Sequence, residues 1–228
     1  MEQLKIEDIL ITVIRKPIKN LYIRVLPPEG RVQMSVPLTV SGDAVSRFAA
    51  SKLDWIRKHR CRIRSRSPKE PFRYEEGEIH MVWGRPCRLE IRYEKGSQRG
   101  FLSGSRLVLQ ISPQADAAQR EQVLNQWYRC QLGEALPAVI DRCREITGLS
   151  ASQWRIRRMK TRWGSCNIPE KRIWLNLYLA RKPKECLFYV AVHELVHLLE
   201  PYHNKRFREW MDRFYPDWRR VKEILNRE

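Results

Sequence analysis

The most specific chemistry in the chain lies in the five residues HELVH at 193–197. Two histidines at i and i+4 share one helix face, so His193 and His197 can turn their imidazoles toward one metal ion. Glu194 lies about a quarter-turn round the helix, too far to be an easy co-ligand but placed to hydrogen-bond a water on that metal. Two residues compete to be the third ligand. Glu200, at i+7 from His193, is on the same face; His203 follows His197 after a gap that lets the chain leave the helix and return. Glu200 abuts Pro201 and is expected to end the helix pointing outward, so His203 is preferred and Glu200 is the alternative. Three protein ligands and one open position are what a catalytic zinc site needs. Zinc lowers the pKa of bound water to about 7, and a carboxylate can take its proton as it attacks. Zinc is the expected cofactor, although imidazoles also suit manganese, cobalt or nickel. With this chain's composition, a chance H-acid-x-x-H has odds of about 1 in 100. Three of the five histidines fall within the eleven residues 193–203, which lowers those odds further.

The segment leading into HELVH is apolar nearly all round, from Leu187 and Phe188 through Val192 to Leu195 and Leu199. The spacing predicts a buried helix opened by Pro183, and two histidines and a glutamate inside it need partners. A metal supplies them; satisfied core histidines are the plainer alternative. Ahead of it come strand candidates at 154–159 and 172–179 and a long helix over 116–146. That helix turns Val123, Trp127, Cys130 and Leu132 inward and has a possible kink at Pro137. Between the strands, MKTRWGSC offers Lys160 or Arg162 as contacts for a developing oxyanion or an anionic substrate. The plainer reading makes Arg162 and Trp163 surface and packing residues around a turn at Gly164. Cys166 has no neighbour in sequence that would activate a thiol. Two short helices close the chain, with Asn204 and Asp217 as N-caps.

The first 114 residues read mainly as strands: 9–15, 21–27 and 31–37, then about 78–83, 87–93 and 106–111. Pro27-Pro28-Glu29-Gly30 joins the second and third as a hairpin. A single helix is expected from the Ser41 cap to about Arg64, followed by a polar loop over 65–77. The expected class is α+β, with a β-rich domain over 1–114, a catalytic domain over 115–228 and no internal repeat.

Three stretches carry a family resemblance: RRMKTRWGSC (157–166), HELVHLLEPYHNKRF (193–207) and YPDW (215–218). They resemble the YgjP-like metal-dependent hydrolases, relatives of the SprT-type zincin peptidases. The resemblance implies a zincin-like C-terminal domain with His193, His197 and His203 as zinc ligands and Glu194 as general base. Metzincins share the spacing but place a glycine where this chain has Glu200. The implied activity is peptide-bond hydrolysis, with nucleoside-triphosphate pyrophosphatase chemistry as the alternative.

Composition bears on partners. Forty-four Lys and Arg against 26 Asp and Glu leave a net +18, a field that gathers polyanions. The densest basic stretch, Arg57 to Arg66 with Trp55 nearby, can track a phosphate backbone. A third reading is therefore a nucleic-acid-binding protein whose metal is structural. Neither a Walker A loop nor GxGxxG occurs, and His59 and His80 are isolated. Six cysteines without a CxxC pair suggest core thiols rather than a zinc ribbon or disulfide framework. No apolar run reaches the ~18 residues of a membrane span. The N-terminus carries no signal-peptide pattern, so a cytoplasmic location is expected.

Overall fold

The computed structural model describes residues 2–65, 72–94, 96 and 98–227. The chain divides into two compact units, Met1–Pro71 and Phe72–Glu228. The division is therefore not near 114: the strands that composition grouped with the N-terminal half belong to the second unit, and the reason is the continuity of its core.

In the first unit, β1 (Glu2–Ile6), β2 (Ile9–Lys16), β3 (Tyr22–Leu26) and β4 (Arg31–Pro37) form one sheet in the order β1-β2-β4-β3. β2 and β4 run parallel, and the outer pairs are antiparallel. Period-2 alternation buries Ile9, Ile11 and Val13 on β2 and Val32, Met34 and Val36 on β4. Helices α1 (Gly42–Ala50) and α2 (Leu53–Arg64) add Val45, Ala49 and Ile56 to that core. The single expected helix is thus two, separated at Ser51 and Lys52. The expected β3–β4 hairpin is present, and β1, a short exposed strand that shows little apolar alternation, was not anticipated.

The basic stretch is α2 itself. Arg57 is bound to Glu7 and Asp8, and Arg64 donates to the Glu29 carbonyl at 3.1 Å. His59 stacks on Trp55 at 3.9 Å. Two of the five described cations of the supposed phosphate track, Arg57 and Arg64, are therefore engaged within the unit. Arg66 lies outside the described residues.

The second unit opens with β5 (Ile79–Val82), β6 (Arg85–Tyr93), β7 (Arg99–Ser103) and β8 (Arg106–Ile111), ordered β5-β6-β8-β7. The parallel and antiparallel pattern repeats that of β1–β4, and a helix follows each set. The chain thus contains an internal topological repeat that its side chains do not advertise, since topology needs only alternation and turns.

Helix α3 (Ala117–Thr147) is anchored by a capping box between Asp116 and Gln119, and ends at Gly148 in the left-handed conformation. It continues through Pro137. Val123, Trp127 and Leu132 face the core as expected, whereas Cys130 is exposed. Next come β9 (Gln153–Arg157), β10 (Gly164–Asn167) and β11 (Arg172–Asn176), a sheet ordered β10-β11-β9, and a short 3-10 helix, Leu177–Arg181. Helices α4 (Lys184–Val196), α5 (Lys205–Phe214) and α6 (Trp218–Asn226) complete the unit. One core runs from Val82 and Leu89 through Leu124 and Tyr128 to Leu175, Leu195 and Val221, so no boundary falls between β8 and α3. No described helix is long and apolar enough to cross a membrane.

Candidate metal centre

Helix α4 buries ten of its thirteen residues, Glu194 among them. It ends at Val196 with His197 as its C-cap, and His203 lies just ahead of α5, immediately before the N-cap Asn204. Asn204 accepts from the Phe207 N–H at 3.0 Å, which fixes where α5 begins and hence where His203 stands. Phe207 is buried and packs against all three imidazoles, with ring centroids 4.9, 4.9 and 4.7 Å from those of His193, His197 and His203. Sequence reading missed this wedge because an aromatic at that spacing looks like ordinary core.

One ring nitrogen from each of His193, His197 and His203 lies within 4.8 Å of the others. Glu200 does not join them. Contrary to expectation it is buried rather than turned outward: its carboxylate accepts from the Tyr202 N–H at 3.2 Å. Its backbone carbonyl lies 3.1 Å from His197 Nδ1. A carbonyl can only accept, so His197 carries its proton on Nδ1 and keeps a free lone pair on Nε2. His193 and His203 turn their Nε2 atoms toward each other at 2.9 Å.

All three imidazoles are held below the usual histidine range, chiefly by burial. His193 falls to about 3 through burial, then its two imidazole neighbours and Lys222. Three neutral rings with converging lone pairs suit a divalent ion, which requires deprotonated ligands. His193 Nδ1 is buried without a partner among the described residues, so no fixed acceptor selects its tautomer.

Glu194 lines the same cavity as the three histidines. Burial pushes its carboxyl up to about 8, and the Arg162 charge opposes that shift. The carboxylate packs directly on β10. A Cβ built at Gly164 would sit 2.5 Å from Glu194 Oε1. Gly164 is therefore not a turn residue: it sits in a strand and lacks a side chain because Glu194 occupies that space.

β10 is an edge strand, paired antiparallel to β11 only. Together with α4 and α6 it frames a cavity of about 540 Å³, which includes Arg162, Gly164, Glu194, the three histidines and Lys222. Of the two expected cationic contacts, Arg162 lines this cavity; Lys160 is exposed and lies outside its lining. Cys166 lines it too, and burial, then the Glu194 charge, raises its thiol to about 11, which keeps it protonated at neutral pH.

The segment between β9 and β10 is pinned from below by a residue that sequence reading passed over. Asn176 is buried, and its amide donates to the Met159 and Arg162 carbonyls at 2.9 and 2.7 Å. Its backbone N–H donates to the Trp163 carbonyl at 2.9 Å.

The chain is similar to the metallopeptidase zymogen of Pyrococcus abyssi abylysin at 26% identity, over 39% of this chain and 86% of that one, with a TM-score of 0.35. No curated protein matches. The family model described as YgjP-like, metallopeptidase domain, matches residues 19–228. With nearly its whole length under that description, the chain belongs to the YgjP-like metallopeptidase family.

Proposed function

We propose that the chain is a zinc metallopeptidase with a zincin-like catalytic domain, in which His193, His197 and His203 hold the ion and Glu194 is the general base. The observation that carries this reading is the convergence of three neutral imidazole nitrogens within 4.8 Å, beside a buried glutamate and an open strand edge. Zinc in that position supplies Lewis acidity, lowering the pKa of water to about 7 and polarising the scissile carbonyl.

The remaining roles belong to the protein. The free edge of β10 offers backbone donors and acceptors to an extended peptide, which lays the scissile bond along the cavity. Glu194 takes a proton from the attacking water at its carboxylate and delivers it to the leaving nitrogen. Arg162 favours the ionised form of that carboxylate and presents a guanidinium to developing negative charge. Phe207 keeps the three rings in their orientations by packing on all of them.

Glu194→Gln should retain one zinc per chain and lose turnover, whereas His193→Ala should lose the metal; full activity in Glu194→Gln would overturn the mechanism. Arg162 and Lys222 in the cavity wall favour a second reading, hydrolysis of a nucleoside-triphosphate phosphoanhydride. Zinc-loaded protein offered unfolded polypeptide and a nucleotide panel separates the two. Cleaved peptide supports the first, and pyrophosphate release with intact polypeptide supports the second.

A further inference from the structure

The sheet β10-β11-β9 has two faces of opposite character. Its inner face carries Trp154, Ile156, Cys166, Ile173 and Leu175 into the core. The outer face is set by register. Trp174 lies opposite Arg155 on β9 and Ser165 on β10, and Asn176 lies opposite Arg157. Trp174 is half-buried yet takes no part in the hydrophobic core. Its ring is flanked by two guanidiniums, Arg155 at 5.5 Å and Arg157 at 5.1 Å from the ring centre. Both arginines are exposed, and neither has a carboxylate partner among the described residues.

Nearby acids are already engaged. Glu170 pairs with Arg172 at 2.6 Å and Glu121 with Arg158 at 2.8 Å. Between 153 and 172 the chain carries Arg155, Arg157, Arg158, Lys160, Arg162, Lys171 and Arg172 against Glu170 alone. A structural role accounts poorly for this concentration, because two exposed arginines near a tryptophan outside the core contribute only about 0.5–1 kcal/mol each through the ring.

We propose that this outer sheet face binds single-stranded nucleic acid, with Arg155 and Arg157 meeting phosphates and Trp174 offering its plane to a base. Charge complementarity selects a polyanion. An aromatic plane on a sheet, outside the core and framed by exposed guanidiniums, selects unpaired bases over an acidic polypeptide or a duplex, whose bases are stacked away. The surface is built from different side chains than the metal centre, so it stands or falls apart from the peptidase reading. It also differs from the expected interface on α2, where Arg57 and Arg64 are already bound to acidic and carbonyl groups.

The test measures fluorescence anisotropy of a labelled homopyrimidine strand of about 16 nucleotides, titrated with the full chain at several salt concentrations. Trp174→Leu should weaken binding roughly ten-fold, the range of one stacked base. The pair Arg155→Gln and Arg157→Gln should flatten the slope of log affinity against log salt by about 1.4, two phosphate contacts' worth on a single strand. Lys58→Gln with Arg62→Gln on α2 should change neither quantity, and His193→Ala should bind as the wild type does. The proposal is overturned if the Trp174 variant or the double arginine variant binds like wild type, or if the α2 variant carries the loss. It is equally overturned if polyglutamate competes as well as the strand, or if a duplex binds as tightly.

Discussion

At the scale of single residues, Gly164 and Glu194 form one device read from two places in the chain. Any Cβ at 164 meets Oε1, Cγ and Cδ of Glu194 at 2.5 to 2.8 Å, so the carboxylate has to move. The three histidines are untouched by that change. Gly164→Ala is therefore expected to bind one metal per chain while turnover falls on the order of 100-fold, the penalty for displacing a catalytic group by about 1 Å. Metal analysis and peptide turnover on the same preparation check it. His80, far from this site in sequence, makes a different residue-scale prediction. It is fully buried, stacked on Phe72 at 4.5 Å, and bonded to Glu78 at 2.7 Å. Burial holds its pKa below 6.5 in spite of Glu78. The unfolded chain consequently takes up this proton first, and stability falls as pH drops from about 6.5 toward the folded value. The ceiling is about 1.4 kcal/mol per pH unit. His80→Gln should lose less stability than wild type between pH 7 and pH 5.5. Urea midpoints of the metal-free proteins measure the difference, and equal losses would show that His80 does not titrate this way.

At the scale of elements, what the sequence announced was what periodicity and caps can announce. The buried α4 was legible from its unbroken apolar run, α3 from the inward spacing of Val123, Trp127 and Leu132, and α5 from the Asn204 cap. That His193 and His197 share a face was legible because i, i+4 spacing fixes it without any tertiary knowledge; the approach of His203 depends on the turn after α4. β10 was not: GSCN has neither alternation nor branched residues, and what makes it a strand is its pairing with β11 along one edge, with Glu194 packed against its face at Gly164. Asn176 was illegible for the same reason, since its role is to bond carbonyls 14 and 17 residues away. That role makes a prediction about the element it holds. Asn176→Ala leaves the Met159 and Arg162 carbonyls without their donor and should destabilise the fold by about 1–3 kcal/mol. The freed segment carries Arg162, so turnover should drop further than the metal content, which should stay at one per chain. Denaturant titration and metal analysis read the two effects separately, and an unchanged midpoint would remove Asn176 from the positioning argument.

At the scale of the molecule, two sheets of identical strand order sit in one chain, but they do different work. The first, β1-β2-β4-β3, closes its own core with α1 and α2: Ile9, Ile11, Met34 and Ile56 are fully buried within it. The second, β5-β6-β8-β7, is continuous with the core that holds α4. Leu89, Leu107 and Leu109 on it belong to the same cluster as Leu124, Leu175 and Leu195. Every side chain of the candidate site, from Arg162 to Lys222, lies in this second unit. A cut at the composition change near 114 would instead strip α3 and the 3-10 helix Leu177–Arg181 of the sheet they pack on. Two fragments therefore behave oppositely. Residues 72–228 expressed alone should give a cooperative thermal transition and bind one zinc, because neither their core nor their ligands are lost. Residues 115–228 should expose the apolar faces of α3 and fail to show one. Calorimetry with metal titration on both fragments decides the matter: a cooperative, zinc-binding 115–228 fragment would place the functional boundary at 114 after all, and the shared core of β8 and α3 would then not be what holds the metal centre together.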